Sequence, residues 1–388
     1  MERGDGEPLR LLYLHVPFCE SLCPYCSFNR VLFEETLCRN YFKALRREIS
    51  LYARLGYDFG GIYVGGGTPT ILMDELEATL ALARRTFSIR EISVETNPNH
   101  LTLENIAILK RTGINRLSVG VQSFDDGLLK AMGRYHKYGD GTFIAAQLRK
   151  TLGHFDTLNA DMIFNFPSQT GVSLAADLDI LVATGVDQVT YYPLMVSDST
   201  KKDVTRALGS VDYRREKRFY DQIVARLVPE YRFSSAWCFT KKNTMIDEYI
   251  VDYDEYAGLG SGSIGYMKGK CYANTFGIQE YIERLEGGEL PLMASRTFGK
   301  RELIRYDFMM KLFGCTLPLR SLLDKYGPAS MVLLIGDIVP FVLAGGLDYR
   351  RGEFHLTARG RYYWVVMMRE FFTAVNNFRD FCRGRQGM

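Results

Sequence analysis

The chain lacks a long uninterrupted apolar run. The longest, Met331 to Leu347, carries Asp337 and Pro340 and turns glycine-rich at its end. It is too short and too broken to span a bilayer comfortably. Nor does the start read as a secretory leader. The opening MERGDGEPLR is polar and leads straight into a strand-like segment, without the basic start, apolar stretch and small-residue cleavage site of a signal peptide. Charge of one sign is scarce: 48 Lys and Arg stand against 45 Asp and Glu, a formal net charge of +3. That is too little to argue for a nucleic-acid or membrane surface. Repeats, low-complexity segments and a polybasic tail are absent. The expectation is a cytoplasmic protein with no membrane span and no nucleic-acid partner.

The chain has 388 residues, 47% hydrophobic and 24% charged, enough for a large packed domain and a smaller one. Eight cysteines without a leader read as reduced thiols or metal ligands rather than disulfides. Cys38, Cys238, Cys271, Cys315 and Cys382 are scattered and read as small apolar residues. Cys19, Cys23 and Cys26 cluster.

Six runs read as strands: Leu11–Val16, Gly61–Gly65, Glu91–Glu95, Arg116–Val121, Leu158–Phe164 and Gln188–Pro193. Most look near-continuously apolar, as strands covered on both faces do. Helical patterns alternate with them. Leu37, Tyr41, Leu45, Ile49 and Tyr52 form a buried stripe, with Lys43, Arg46, Arg47 and Glu48 on the other side. Thr102 suits an N-cap for Leu103–Arg111. Gly171–Thr184 and Tyr213–Leu227 are further helices. Six strand–helix repeats imply parallel βα units, either an open doubly wound sheet or a partial barrel. In both, ligands gather at the carboxyl ends of the strands.

After about residue 285 the pattern changes. Helices over Lys300–Phe313 and Met331–Leu343, a hairpin turning at Arg351-Gly352, and a final helix capped by Thr357 resemble a winged-helix arrangement, for which a packing or lid role is expected. The domain reading is therefore 1–285 and 286–388.

The spacing Cys19-x3-Cys23-x2-Cys26 follows the first strand directly. Three thiolates on one loop can hold three irons of a [4Fe–4S] cube and leave the fourth open. Zinc, with His15 or Cys38 as fourth ligand, and unligated thiols are the alternatives. The run Gly65-Gly66-Gly67-Thr68-Pro69 follows the second strand; its bare backbone lets a ligand come within hydrogen-bonding distance. Glu95, Gln122 and Asp161 stand at later strand ends, where they can accept from amino or hydroxyl groups. Arg134 can pair with a carboxylate.

The cysteine loop, Gly-Gly-Gly-Thr-Pro, Gly-Val-Gln-Ser-Phe and Asp-Met-Ile-Phe-Asn-Phe-Pro-Ser-Gln-Thr together resemble the HemN/HemW branch of the radical SAM superfamily. The likeness covers about residues 11–275. That branch holds oxygen-independent coproporphyrinogen III oxidases, haem chaperones and methyltransferases that use two S-adenosylmethionine molecules. The resemblance implies an α/β fold: a partial (β/α)6 barrel with a smaller, mostly helical, winged-helix-like C-terminal domain. It also implies a [4Fe–4S] cluster on Cys19, Cys23 and Cys26, with Tyr13 and Tyr25 packed near it. S-adenosylmethionine would be lined by Gly65, Gly66, Gly67 and Thr68 and contacted by Glu95, Gln122, Arg134 and Asp161. Gly258–Ser263 resembles a glycine loop closing over the site. A flavodoxin or ferredoxin would supply the electron.

Two departures narrow the activity. Phe28 stands where such coproporphyrinogen oxidases have a fourth cysteine. Lys242–Tyr249 stands where the chaperones carry a His-Asn-x-x-Tyr-Trp motif, without its histidine. The expected activity is a methyl or methylene transfer onto a tetrapyrrole or another unsaturated substrate, with decarboxylation and haem delivery as the alternatives. Tyr191-Tyr192-Pro193 and Trp237-Cys238-Phe239 are the expected substrate-pocket walls.

Overall fold

A computed structural model describes residues 10–385; the opening segment read above as lacking a leader falls, up to Leu9, outside the described residues. All six expected strands form: β1 (Arg10–Val16), β2 (Gly61–Gly66), β3 (Glu91–Thr96), β4 (Arg116–Gln122), β5 (Thr157–Phe164) and β6 (Gln188–Pro193). They lie side by side in chain order, all parallel. Beyond β6 come β7 (Arg232–Phe233) and β8 (Cys238–Thr240), with β8 antiparallel to β6. At the other edge a seventh parallel strand, β9 (Glu255–Leu259), pairs with β1. It leads into the antiparallel β10 (Ile264–Met267), β11 (Lys270–Asn274) and β12 (Leu292–Thr297). The sheet thus continues past residue 285 and does not close on itself.

It is curled. Side chains from β2, β4, β5 and β6 all reach the carboxylate of Asp247. In a flat sheet β2 and β6 stand four strand spacings apart, about 19 Å. Only a curved wall brings them to one carboxylate, so the partial barrel, not the open sheet, is the fold.

The strands correct one sequence expectation. They are not apolar on both faces. Ile92, Val94, Leu117, Val119, Leu158, Ala160 and Val189 pack outward under the helices. Ser93, Glu95, Arg116, Ser118, Asn159, Asp161, Gln188 and Thr190 alternate with them and so face inward. The inner wall is polar.

The outer layer includes α1 (Glu35–Arg54), α2 (Met73–Thr86), α3 (Leu103–Arg111), α4 (Gly141–Thr151), α5 (Gly171–Thr184) and α6 (Glu216–Leu227). Residues 213–215, expected within α6, form a separate 3-10 turn. Thr102 accepts from the Asn105 amide, as an N-cap should. Glu48 does not face solvent as expected. It is fully buried and accepts from Tyr281 Oη (2.6 Å), the Gly260 amide (2.8 Å) and Asn274 Nδ2 (2.9 Å). Those donors make its burial tolerable.

Burial pushes the Glu48 carboxyl up to about 7, from an ordinary 4.5. Because the folded value lies above the unfolded one, its stabilising contribution is complete below pH 4.5 and is lost as pH rises through 7. The melting temperature of the wild type minus that of Glu48→Gln should therefore fall across that window. A difference that stays flat with pH would contradict this.

The C-terminal part holds α7 (Ile278–Glu286), α8 (Lys300–Leu312), α9 (Leu319–Tyr326), α10 (Ala329–Leu343) and α11 (Ala358–Arg385). A three-stranded sheet of Thr316–Pro318, Glu353–Leu356 and Leu347–Arg350 joins them, with the turn at Arg351-Gly352. Thr357 caps α11 by accepting from the Gly360 amide at 3.0 Å. This is the winged-helix-like arrangement. α11 leaves it to reach the barrel, where the buried Arg369 pairs with Glu216 of α6 at 2.5 Å. No helix among the described residues is long and apolar enough to cross a membrane.

Candidate active site

The cysteine loop leaves β1 at its carboxyl end and is pinned at both ends. Phe18–Cys19 pairs in parallel with Val31–Leu32, and the Arg30 guanidinium donates to the carbonyls of Cys23 and Cys26, each at 2.6 Å. Cys19 and Cys23 are buried and Cys26 is half-buried. Donors from two other segments reach their sulfurs: Thr68 Oγ1, just past β2, stands 3.8 Å from Cys19 Sγ, and Arg134 Nη1, in the helical segment after β4, 3.7 Å from Cys23 Sγ.

Donors around a sulfur favour the thiolate, the form in which cysteine binds metal. Burial and the neighbouring thiols push Cys19 up to about 12, so loading a metal must also release a proton. The two candidates for a zinc ligand are engaged elsewhere. The ring nitrogens of His15 face Tyr13 Oη (3.0 Å) and the Asn29 carbonyl (2.7 Å), and Cys38 is buried in α1. Three thiols, two sulfur-directed donors and no fourth protein ligand from either candidate fit a cluster with an open iron.

Three amides of the glycine run are taken up within the protein. The amides of Gly67 and Thr68 donate to the carbonyls of Val16 and Phe18 at 2.7 and 2.8 Å, and the Gly66 amide to Glu95 Oε2 at 3.1 Å. The glycines let β2 and the cysteine loop touch. A Cβ on Gly67 would sit 2.6 Å from the Phe18 carbonyl oxygen, a backbone atom that cannot step aside. Gly67→Ala should cost about 1–3 kcal/mol through this overpacking and lower iron retention by displacing the loop. Iron content together with melting temperature tests it; an unchanged pair would refute the role.

The remaining expected residues occupy the inner wall and its rim. Tyr13 stacks with Tyr63 and Tyr249 at ring separations of 6.1 Å, and Tyr25 meets Phe166 edge-on at 6.0 Å. Glu95 accepts from Tyr63 Oη at 2.8 Å; burial and the Asp247 charge push it up to about 7. Gln122 adopts a left-handed φ of 71° where β4 shifts register against β5, a strained conformation for a side-chain-bearing residue. Arg134 is buried, stacked on Tyr138, and donates to Asn97 Oδ1 (3.0 Å) and the Gly120 carbonyl (2.5 Å). Asp161 accepts from Ser118 Oγ (2.7 Å) and Asn159 Nδ2 (2.8 Å); burial and Asp247 push its carboxyl well up.

Asp247 and Arg116 were not singled out in the sequence, yet they organise this wall. Arg116 donates to Asp247 Oδ1 at 2.7 Å, and Asp247 also receives Tyr63 Oη (2.5 Å), Thr190 Oγ1 (2.9 Å) and Tyr192 Oη (2.9 Å). Burial opposes ionisation of Asp247, but the guanidinium overrides it and holds the carboxyl well below its usual range. The period-two alternation of Arg-Leu-Ser-Val in β4 was the signal for Arg116.

Two expectations are corrected. Of the aromatic pocket walls, Tyr191, Trp237 and Phe239 are core residues, with Trp237 packed on Phe313 at 4.8 Å; Tyr192 turns inward, to Asp247, and Cys238 shares the inner face with Thr190, whose Oγ1 stands 3.8 Å from its sulfur. Gly258 and Leu259 belong to strand β9 rather than to a loop. The following turn packs against the cysteine loop, since Asn29 Nδ2 donates to the Ser261 carbonyl at 3.2 Å.

Comparisons with known proteins agree with this geometry. The model of the radical SAM superfamily matches residues 13–171. A haem chaperone HemW of Bacillus subtilis is 29% identical, covering 91% of this chain and 96% of its own. An oxygen-independent coproporphyrinogen III oxidase of Cereibacter sphaeroides is 35% identical, covering 93% and 85%. Among solved structures, coproporphyrinogen III oxidase (HemN) from Escherichia coli superposes with a TM-score of 0.79 at 22% identity, over 94% of this chain and 91% of that one.

Proposed function

Given that this chain belongs to the HemN/HemW branch of the radical SAM superfamily, we propose that it transfers a methyl or methylene group from a second S-adenosylmethionine to an unsaturated carbon of a tetrapyrrole. The observation that carries the radical part is the set of three thiols on one loop, with Thr68 and Arg134 within hydrogen-bonding reach of two sulfurs. When bound, the cluster supplies one electron for reductive cleavage of S-adenosylmethionine to a 5′-deoxyadenosyl radical.

The protein's own part is positional. Cys19, Cys23 and Cys26 hold three irons, while Arg134 and Thr68 stabilise the charge on sulfur. Glu95, fixed by Tyr63 and Gly66, presents a carboxylate to an amino group, and Asp161 a carboxyl group to ribose hydroxyls. Gly65, Gly66, Gly67 and Thr68 shape the wall beside the methionine part, and Gln122 lines the rim. In the same reading residues 1–285 are the catalytic domain, 286–388 cover it, and a flavodoxin or ferredoxin is the reductant.

Transfer rather than decarboxylation is favoured by Phe28, which is 43% exposed where the oxidases carry their extra cysteine. Haem delivery is the second reading, favoured by the chaperone HemW matching over 96% of its own length. Reconstituted protein with dithionite and S-adenosylmethionine separates them. Release of 5′-deoxyadenosine together with S-adenosylhomocysteine is expected. Tight haem binding with neither product would leave delivery and remove transfer.

A further inference from the structure

We propose that Arg379, on the final helix, holds a carboxylate of the substrate at the barrel mouth; this rests on the tetrapyrrole reading above. The last turns of α11 lie across that mouth. Asn377 Oδ1 accepts from the Asp198 amide at 2.9 Å and Asp380 Oδ2 from the Ser199 amide at 3.3 Å. The Ser197–Thr200 turn follows β6 at its carboxyl end, and Ser27 of the cysteine loop donates to Ser197 Oγ at 3.1 Å. Three parts of the chain therefore meet there.

Arg379 stands at this junction with an unmet charge. Its guanidinium lies 5.1 Å over the Phe28 ring and donates to Asn376 Oδ1 at 2.7 Å. Among the described residues it forms no ion pair, whereas Arg116, Arg369 and Arg383 each face a carboxylate. Its charge is felt at Tyr13, Tyr249 and Cys26, and burial disfavours its charged form. A half-buried guanidinium without a carboxylate partner gains from an incoming one, which it can grip with two N–H groups. Phe28 beneath it supplies a flat apolar surface of the kind a macrocycle stacks on. Arg379 stands beside the cysteine loop and the β6 end, whereas the glycine run and Glu95 lie on β2 and β3. We assign it a substrate carboxylate; the S-adenosylmethionine affinity of the Arg379 variants distinguishes this from the methionine carboxylate. Tetrapyrroles made in cells carry propionate side chains, ionised at neutral pH.

The test uses cluster-loaded protein without oxygen, titrated with protoporphyrin IX and with its dimethyl ester while porphyrin absorbance is followed. The diacid should bind wild type about tenfold more tightly than the diester. Arg379→Gln should lose about that factor for the diacid and stay within about twofold for the diester, with Arg379→Lys between. Equal losses for diacid and diester, or no loss, would overturn the proposal, as would a loss of S-adenosylmethionine affinity in place of porphyrin affinity. If wild type binds neither porphyrin, the tetrapyrrole reading itself falls and takes this inference with it.

Discussion

Cys23→Ala should leave a colourless protein: iron falling from about four per chain to background, no charge-transfer absorbance, and no 5′-deoxyadenosine. Cys23 is buried, its sulfur lies 3.7 Å from Arg134 Nη1, and its carbonyl is held by Arg30. Alanine removes one of three covalent anchors and leaves that donor facing a void. Arg134→Gln gives the contrast. All three thiols remain, but the donor to sulfur goes, and loss of such an outer contact weakens metal binding about 10–100-fold. Iron retention against a chelator should thus rank wild type above Arg134→Gln, and that above Cys23→Ala. Equal retention in Cys23→Ala and wild type would remove the cluster from this loop.

Asp247→Ala should be the most destabilising single change outside the core. Asp247 holds the segment between β8 and β9 inside the barrel and neutralises Arg116, whose side chain is 1% exposed. Breaking a buried pair by removing one partner costs about 3–5 kcal/mol, because the other charge stays buried. In a chain of this size the melting temperature should fall by roughly 4–6 °C. Replacing both partners, Arg116→Met with Asp247→Leu, should recover much of the loss, since no charge is then stranded. A double variant less stable than Asp247→Ala would show that the hydrogen bonds to Tyr63, Thr190 and Tyr192, not the ion pair, dominate.

The parallel strands were legible because their outward residues are apolar and each is followed by a helix-period pattern; Gln188–Pro193 needed no adjustment. β9 was not, because Glu255–Leu259 runs into the glycine-rich stretch Gly258–Ser263 and reads as a turn. Its pairing with β1 is set about 240 residues away in the chain, beyond any local pattern. The cysteine loop was legible for the opposite reason: its chemistry is packed into eight consecutive residues. The Asp247–Arg116 pair spans 131 positions, and neither residue carries a local mark of its partner. Glu48 was misplaced because one charged residue beside an apolar stripe looks like the stripe's edge. Only Tyr281, Asn274 and Gly260, all distant in sequence, turn it inward.

The junction of Ser27, Ser197 and Asn377 has a consequence for biosynthesis. Cys26 and Arg379 are about 350 residues apart, so the loop leaves the ribosome well before its cover. At about 5–20 residues per second, some 20–70 s separate the two events. During that interval the thiols stay uncovered by α11. A nascent chain stalled before α11 should accept iron and sulfide faster than the finished, metal-free protein, whose last helix already lies across the entrance.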